Sequence, residues 1–184
     1  MIELLVVITV LGVLATIVLL AVNPGEQLAR GRDTNRISAV TQLGRASVIY
    51  YSVRGTSYPP IGIANDWMVS LVNTGDVKVR VGNPGYGSTT GMTVCTDTRI
   101  QKFGVTNGTT TPTEFGHCYV RTTALTDAIV YVQLESERSK TKTGNCATTT
   151  WVIFATSVGK TGLWCSATEP TAGGNYTGSN FFEP

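Results

Sequence analysis

Hydrophobic positions are distributed very unevenly along the chain. Leu4 to Val22 is an unbroken run of 19 uncharged residues, interrupted only by Thr9, Gly12 and Thr16. As a helix it would be about 28 Å long, enough to cross a bilayer. The pattern then changes. Asn23-Pro24-Gly25-Glu26 breaks the run, and it also supplies the parts of a new helix start, with Asn23 as N-cap, Pro24 as first helical residue and Glu26 as the third-position acid of a capping box. Gly12, Asn23, Pro24 and Gly25 are the positions at which the helix is expected to bend. From Leu28 to Val53, Ile37, Val40, Leu43, Val48 and Tyr51 recur at mostly helical spacing with Ser47 between them. Arg30, Arg32, Arg36 and Arg45 are placed on the other faces, as a solvated surface or as salt-bridge partners between subunits. Gly55 followed by Pro59-Pro60 ends this helix.

Beyond it the pattern is that of strands and turns. Residues 56–92 form a connector rich in Gly, Pro and Asn, with a short helix expected over Asp66 to Asn73 and closed by Gly75. Val77 to Val81 alternates as a strand would, and Ile129 to Leu134 is strongly β-forming. Trp151 to Ala155 and Leu163 to Cys165 read as a hairpin turning over 157–162. Met92 to Thr96 and Cys118 to Thr122 are weaker strands. The order predicts an α+β fold: a long, kinked N-terminal helix whose apolar first half (1–22) is exposed and whose second half (23–55) packs on an antiparallel sheet drawn from 93–184.

Composition sharpens this picture. The chain is 42% hydrophobic but only 14% charged, well below the roughly 25% charge of an ordinary soluble domain. The apolar excess sits in the first 22 residues, and the remainder is rich in Thr and Gly, which suits exposed strands joined by turns. A net charge of +2 leaves no broad basic surface, so a nucleic-acid partner is not indicated.

Catalytic and metal chemistry find no footing. Gly159-Lys160-Thr161 lacks the upstream glycine of a phosphate-binding loop, since Phe154 occupies that place. Gly85-Tyr86-Gly87 has Thr90 where a dinucleotide fingerprint needs its third glycine. A single His117 supports neither a zinc site nor a catalytic triad, and no cofactor is expected. The four cysteines, Cys95, Cys118, Cys146 and Cys165, have no C-x-x-C spacing and are read as disulfides made in an oxidising compartment. Of the three connectivities, Cys95–Cys118 and Cys146–Cys165 are preferred, because the second closes around the hairpin and the first around the intervening loop. Asn107-Gly108-Thr109 and Asn175-Tyr176-Thr177 are formal glycosylation sequons.

Glu3 is the feature that an ordinary anchor does not explain. A simple anchor or a secretory signal would open on Lys or Arg, and a signal would close on a small-residue cleavage site. The string Met-Ile-Glu-Leu-Leu-Val-Val-Ile-Thr-Val-Leu-Gly-Val-Leu-Ala-Thr-Ile-Val at 1–18 resembles the start of mature type IV pilins and pseudopilins. The resemblance covers about the first 50 residues. It implies a leader removed by a prepilin peptidase, a methylated N-terminus, storage in the inner membrane, and polymerisation by the pilus assembly machinery into a helical homopolymer outside the cell. In that pattern Glu3 meets the N-terminal amine of a neighbouring subunit. Met1 stands where the family has its third mature residue, which changes the amine available to Glu3. The implied function is that of a major pilin serving adhesion, motility or DNA uptake. The alternatives are a pseudopilin of a secretion or competence machine, or a membrane-anchored binding module that presents Trp67, Trp151 or Trp164 to sugars.

Overall fold

The computed structural model describes residues 2–55, 57–60, 67–79, 81, 117–177 and 181–184, with the side chains of 20–22 excepted. Two helices open the chain. The first, α1, runs Ile2–Val22, and α2 runs Pro24–Arg54. They are separated by Asn23 alone, whose left-handed backbone (φ 44°, ψ 78°) reorients the chain while its side chain accepts a bond from the Glu26 amide at 3.4 Å. Asn is among the few residues that adopt this conformation at low cost. Pro24 follows at the first helical position, where its missing N–H leaves nothing unsatisfied. At Gly12, also expected to bend the helix, α1 is unbroken and the φ is not positive. Without a proline or a competing hydrogen bond, a lone glycine leaves the i to i−4 ladder intact. Gly25 is likewise helical, within the first turn of α2.

The C-terminus of α2 is closed as the sequence predicts, with Gly55 left-handed (φ 69°) and its N–H bonded to Tyr51 O at 2.8 Å. A short helix, α3 (Trp67–Asn73), follows, with Gly75 at φ 80° just beyond it. Residues 77–79 are not a strand. The amides of Asp76 and Val77 turn back to Leu71 O, at 3.0 and 3.2 Å, to satisfy the end of α3. Val77 and Val81 pack against the core, whereas Val79 is 73% exposed, so the apparent alternation of valines is not the period of burial.

Among the described residues, five antiparallel strands form a meander in chain order: β1 (Cys118–Arg121), β2 (Ala128–Gln133), β3 (Thr149–Ala155), β4 (Lys160–Ser166) and β5 (Phe181–Phe182). A fourth helix, α4 (Glu137–Lys142), lies between β2 and β3. The β3–β4 hairpin is tighter than its sequence suggests. It turns over residues 156–159, and Lys160 to Gly162 belong to β4, paired with Ala155 to Ile153. Met92 to Thr96 lies outside the described residues.

Alternate residues of the sheet enter two separate cores. Val130, Val132, Val152, Phe154 and Leu163 face α2 and α3, meeting Val40, Leu43, Ala46, Trp67 and Leu71. Ile129, Tyr131, Trp151 and Ile153 line the other face, with Tyr176 from the C-terminal segment packed onto it. β2 is therefore buried on every residue. The sequence leads to one apolar face, and the second accounts for the continuous Ile129 to Leu134 run.

The helix face that meets the sheet sets small residues between its large ones. Ala29, Gly44, Ala46 and Ser47 are buried, whereas Val48 is turned outward. A Cβ on Gly44 would sit 2.1 and 2.3 Å from ring atoms of Phe154 and 2.6 Å from its Cβ, so only glycine permits this approach. The Ile37 to Tyr51 stripe is thus partly right: Val40 and Leu43 are central, Ile37 and Tyr51 are half-buried, and the close contact belongs to the small residues between them.

Candidate functional site

α1 is apolar on all faces. Its thirteen large apolar side chains from Ile2 to Leu19 are each more than half exposed, and none of the window Ile2–Leu19, with mean hydropathy 2.8, is buried within the chain. At roughly 100 Å² each, these side chains present on the order of 1,300 Å² of apolar surface, worth about 30 kcal/mol if removed from water. That is several times the exposed patch tolerated on a soluble monomer. Thr9 and Thr16 do not interrupt it, since each hydroxyl donates at 2.8 Å to the carbonyl three residues back. Glu3 is exposed in the first turn, and Met1 lies outside the described residues.

The junction between α1 and the globular part is held by a polar latch. Glu26 makes no capping box with Asn23. Its carboxylate instead accepts from the amides of Glu137 (3.1 Å) and Arg138 (3.2 Å) at the start of α4, and from Arg30 Nε (2.9 Å). Burial raises the Glu26 pKa, but these donors together outweigh it and hold the carboxyl below its ordinary value.

Two turns further along α2, Asp33 performs the same task deeper in the structure. It accepts from the Glu135 amide (3.1 Å), the Ser136 amide (2.9 Å), the Ser139 hydroxyl (3.0 Å) and the Arg36 guanidinium. Arg36 also donates to Glu135 at 3.0 Å, and Arg32 donates to the same carboxylate. Arg36, expected on an outer face, is only 1% exposed, and Asp33 is 2% exposed. The correction has a visible signal: positions 29, 33, 36, 40, 43 and 47 follow helical spacing without a gap, and Asp33 and Arg36 are i,i+3 partners on that face. A buried pair is tolerated because the β2–α4 junction supplies donors to Asp33 and a second carboxylate, Glu135, to Arg36.

His117 adjoins this network. It is 1% exposed, and neither ring nitrogen has a hydrogen-bond partner among the described residues. Burial, reinforced by the charge of Arg36, lowers its pKa to about 4, so it is a neutral imidazole near pH 7. It lies immediately before β1, inside the protein.

Cys146 and Cys165 form the expected disulfide across the base of the β3–β4 hairpin. Cys118 is also disulfide-bonded, and Cys95, its preferred partner by sequence, lies outside the described residues, as does Asn107. Asn175 is exposed, with the Thr177 hydroxyl donating to its amide oxygen. Two of the three tryptophans named for sugar contact are core residues: Trp67 stacks on Tyr119 at 4.7 Å, and Trp151 meets Tyr131 edge-on while its indole N–H donates to Ser166 O. Trp164 is half-buried against Tyr176. Among the described residues no group of three His, Cys, Asp or Glu side chains could hold a metal ion. No family model, curated protein or solved structure matches the chain.

Proposed function

We propose that this chain is the structural subunit of an extracellular filament of the type IV pilus kind, held in a membrane by α1 before assembly. The observation that carries the reading is the all-round apolar surface of α1, continued through one capped break into a helix fixed to a disulfide-linked sheet. A helix apolar on one side docks on its own domain, whereas a helix apolar on every side needs lipid or other helices around it. Both environments serve in turn: lipid during storage, and a bundle of neighbouring α1 helices in the filament. The head then faces outward, where a surface rich in Thr and poor in charge and a cross-linked hairpin suit an exposed position.

Glu3 gives the assembly its register. In lipid it rests at the interface at little cost. In a bundle it requires a cation, which the N-terminal amine of an adjacent subunit supplies. At about 4 Å and an effective dielectric near 20 the attraction is on the order of 4 kcal/mol before desolvation. Glu3→Val is expected to leave a membrane-inserted subunit that assembles poorly, read by electron microscopy of sheared surface material. Filaments in normal number from that variant would refute the role of Glu3. An absence of filaments from the unaltered chain would instead favour a short pseudopilin assembly or a simple anchored module.

A further inference from the structure

The end of the head nearest α1 carries an open cleft of about 410 Å³ between α2 and α4. Arg30 and Thr34 line one wall, Arg138 and Lys142 the other, and Ile37 and Leu163 provide an apolar floor. Arg138 and Lys142 are exposed, lie one turn apart on the same side of α4, and make no ion pair among the described residues. The neighbouring acids are already engaged. Glu26 binds two amides and Arg30, Asp33 accepts four donors, and Glu137 is paired with Lys140. Counting the whole latch, six cations (Arg30, Arg32, Arg36, Arg138, Lys140, Lys142) face four acids (Glu26, Asp33, Glu135, Glu137). The local excess of two positive charges equals the net charge of the entire chain, +2.

The position of the cleft gives this excess a partner. Arg30 is eight residues beyond Val22, the last residue of α1, so along the chain it stands about 12 Å past the end of the apolar segment. The headgroup layer extends about 6 Å beyond the hydrocarbon, and the Debye length at physiological salt is about 8 Å. With α1 in a bilayer, the cleft therefore opens within electrostatic reach of the lipid phosphates.

We infer that this cleft binds anionic phospholipid headgroups while the subunit is held in the membrane, with Arg138 and Lys142 contacting phosphate and Arg30 held in place by Glu26. The inference rests on the membrane-stored stage of the function proposed above, not on polymerisation, which electron microscopy reads separately. Headgroup binding fixes the head against the membrane surface and is surrendered when the subunit is withdrawn.

The test uses the full chain in phosphatidylcholine nanodiscs, with and without phosphatidylglycerol, followed by amide NMR. Phosphatidylglycerol is expected to shift the amides of residues 30–34 and 138–142, with a response that fades as salt is raised. R138E/K142E is expected to weaken the response at least about tenfold, given the energy of each basic residue near an anionic surface, whereas R138K/K142R retains it. Both positions are exposed, and an unchanged spectrum elsewhere in plain phosphatidylcholine reports an intact fold. The inference is overturned if phosphatidylglycerol leaves these amides unmoved or if R138E/K142E responds as the unaltered chain does. It is also overturned if inorganic phosphate, added to plain phosphatidylcholine discs, reproduces the shifts, since the ligand would then be the free ion.

Discussion

Replacing His117 with phenylalanine is expected to stabilise the protein, and to do so most in acid. The imidazole is buried with both nitrogens unpartnered among the described residues and with Arg36 as a neighbouring charge. Its pKa falls from the ordinary 6.5 to about 4 on folding. Between those values the unfolded chain binds a proton that the folded chain does not, so acidification through this window favours unfolding. Above pH 6.5 neither state is protonated and nothing is lost, while below pH 4 both are and the loss is complete. The gap corresponds to about 3 kcal/mol at 1.36 kcal/mol per unit. His117→Phe removes this term and leaves no unsatisfied ring nitrogen, a group whose burial alone costs about 1–3 kcal/mol. The assay is denaturant unfolding of the full chain in a non-ionic detergent, followed by tryptophan fluorescence, since Trp67 and Trp151 are both core residues. The difference in stability between the variant and the unaltered chain, not either curve alone, isolates the histidine from the carboxylates that titrate in the same range. A difference that stays constant from pH 7 to pH 4 would refute the reasoning, as would a variant markedly less stable at pH 7.

Four further outcomes follow from the packing. Gly44→Ala drives a methyl into the Phe154 ring and is expected to cost about 1–3 kcal/mol, with part of the loss recovered on adding Phe154→Leu, read as shifts in the denaturation midpoint. Asp33→Ala leaves Arg36 and the β2–α4 amides without their shared acceptor and is expected to cost about 3–5 kcal/mol. Arg32→Ala, at a position with a third of its side chain exposed, should cost no more than about 1 kcal/mol by the same measurement. Reduction of the Cys146–Cys165 bridge, which spans 19 residues, should remove about 3 kcal/mol in the chain-entropy account, seen as a lower unfolding midpoint in Cys146→Ala/Cys165→Ala.

The parts of the fold written in local chemistry were legible in the sequence. Asn23-Pro24 marks a helix start, Gly55 a helix end, and the β-branched runs at 129–134 and 151–155 the central strands, because each depends on residues close together in the chain. What could not be read depends on contacts distant in sequence. Glu26 looks like a capping acid until α4, 111 residues away, offers it two amides. Arg36 looks solvated because arginines usually are, and only the β2–α4 junction makes its burial tolerable. Lys160 to Gly162 look like a turn, yet they extend β4, where glycine at 162 leaves room for the Phe181 ring. The candidate assembly surface divides the same way: the apolar run and Glu3 are plain in the first 22 residues, whereas the basic cleft above them exists only once α4 folds against α2.

The polar latch also determines how the molecule would respond to being pulled. Tension applied along α1 enters the head through Asn23 and reaches first the two carboxylates that tie α2 to residues 135–138. Those four consecutive amides are gripped as a pair of pairs, by Asp33 and by Glu26 two helical turns before it. Load is therefore shared among bonds that must yield together rather than one after another. Behind them, the Cys146–Cys165 bridge joins the segment leading into β3 to the end of β4 covalently. The tether is the compliant part of such a design and the head the stiff one, so strain is taken up at the single residue between α1 and α2 before any strand of the sheet is disturbed.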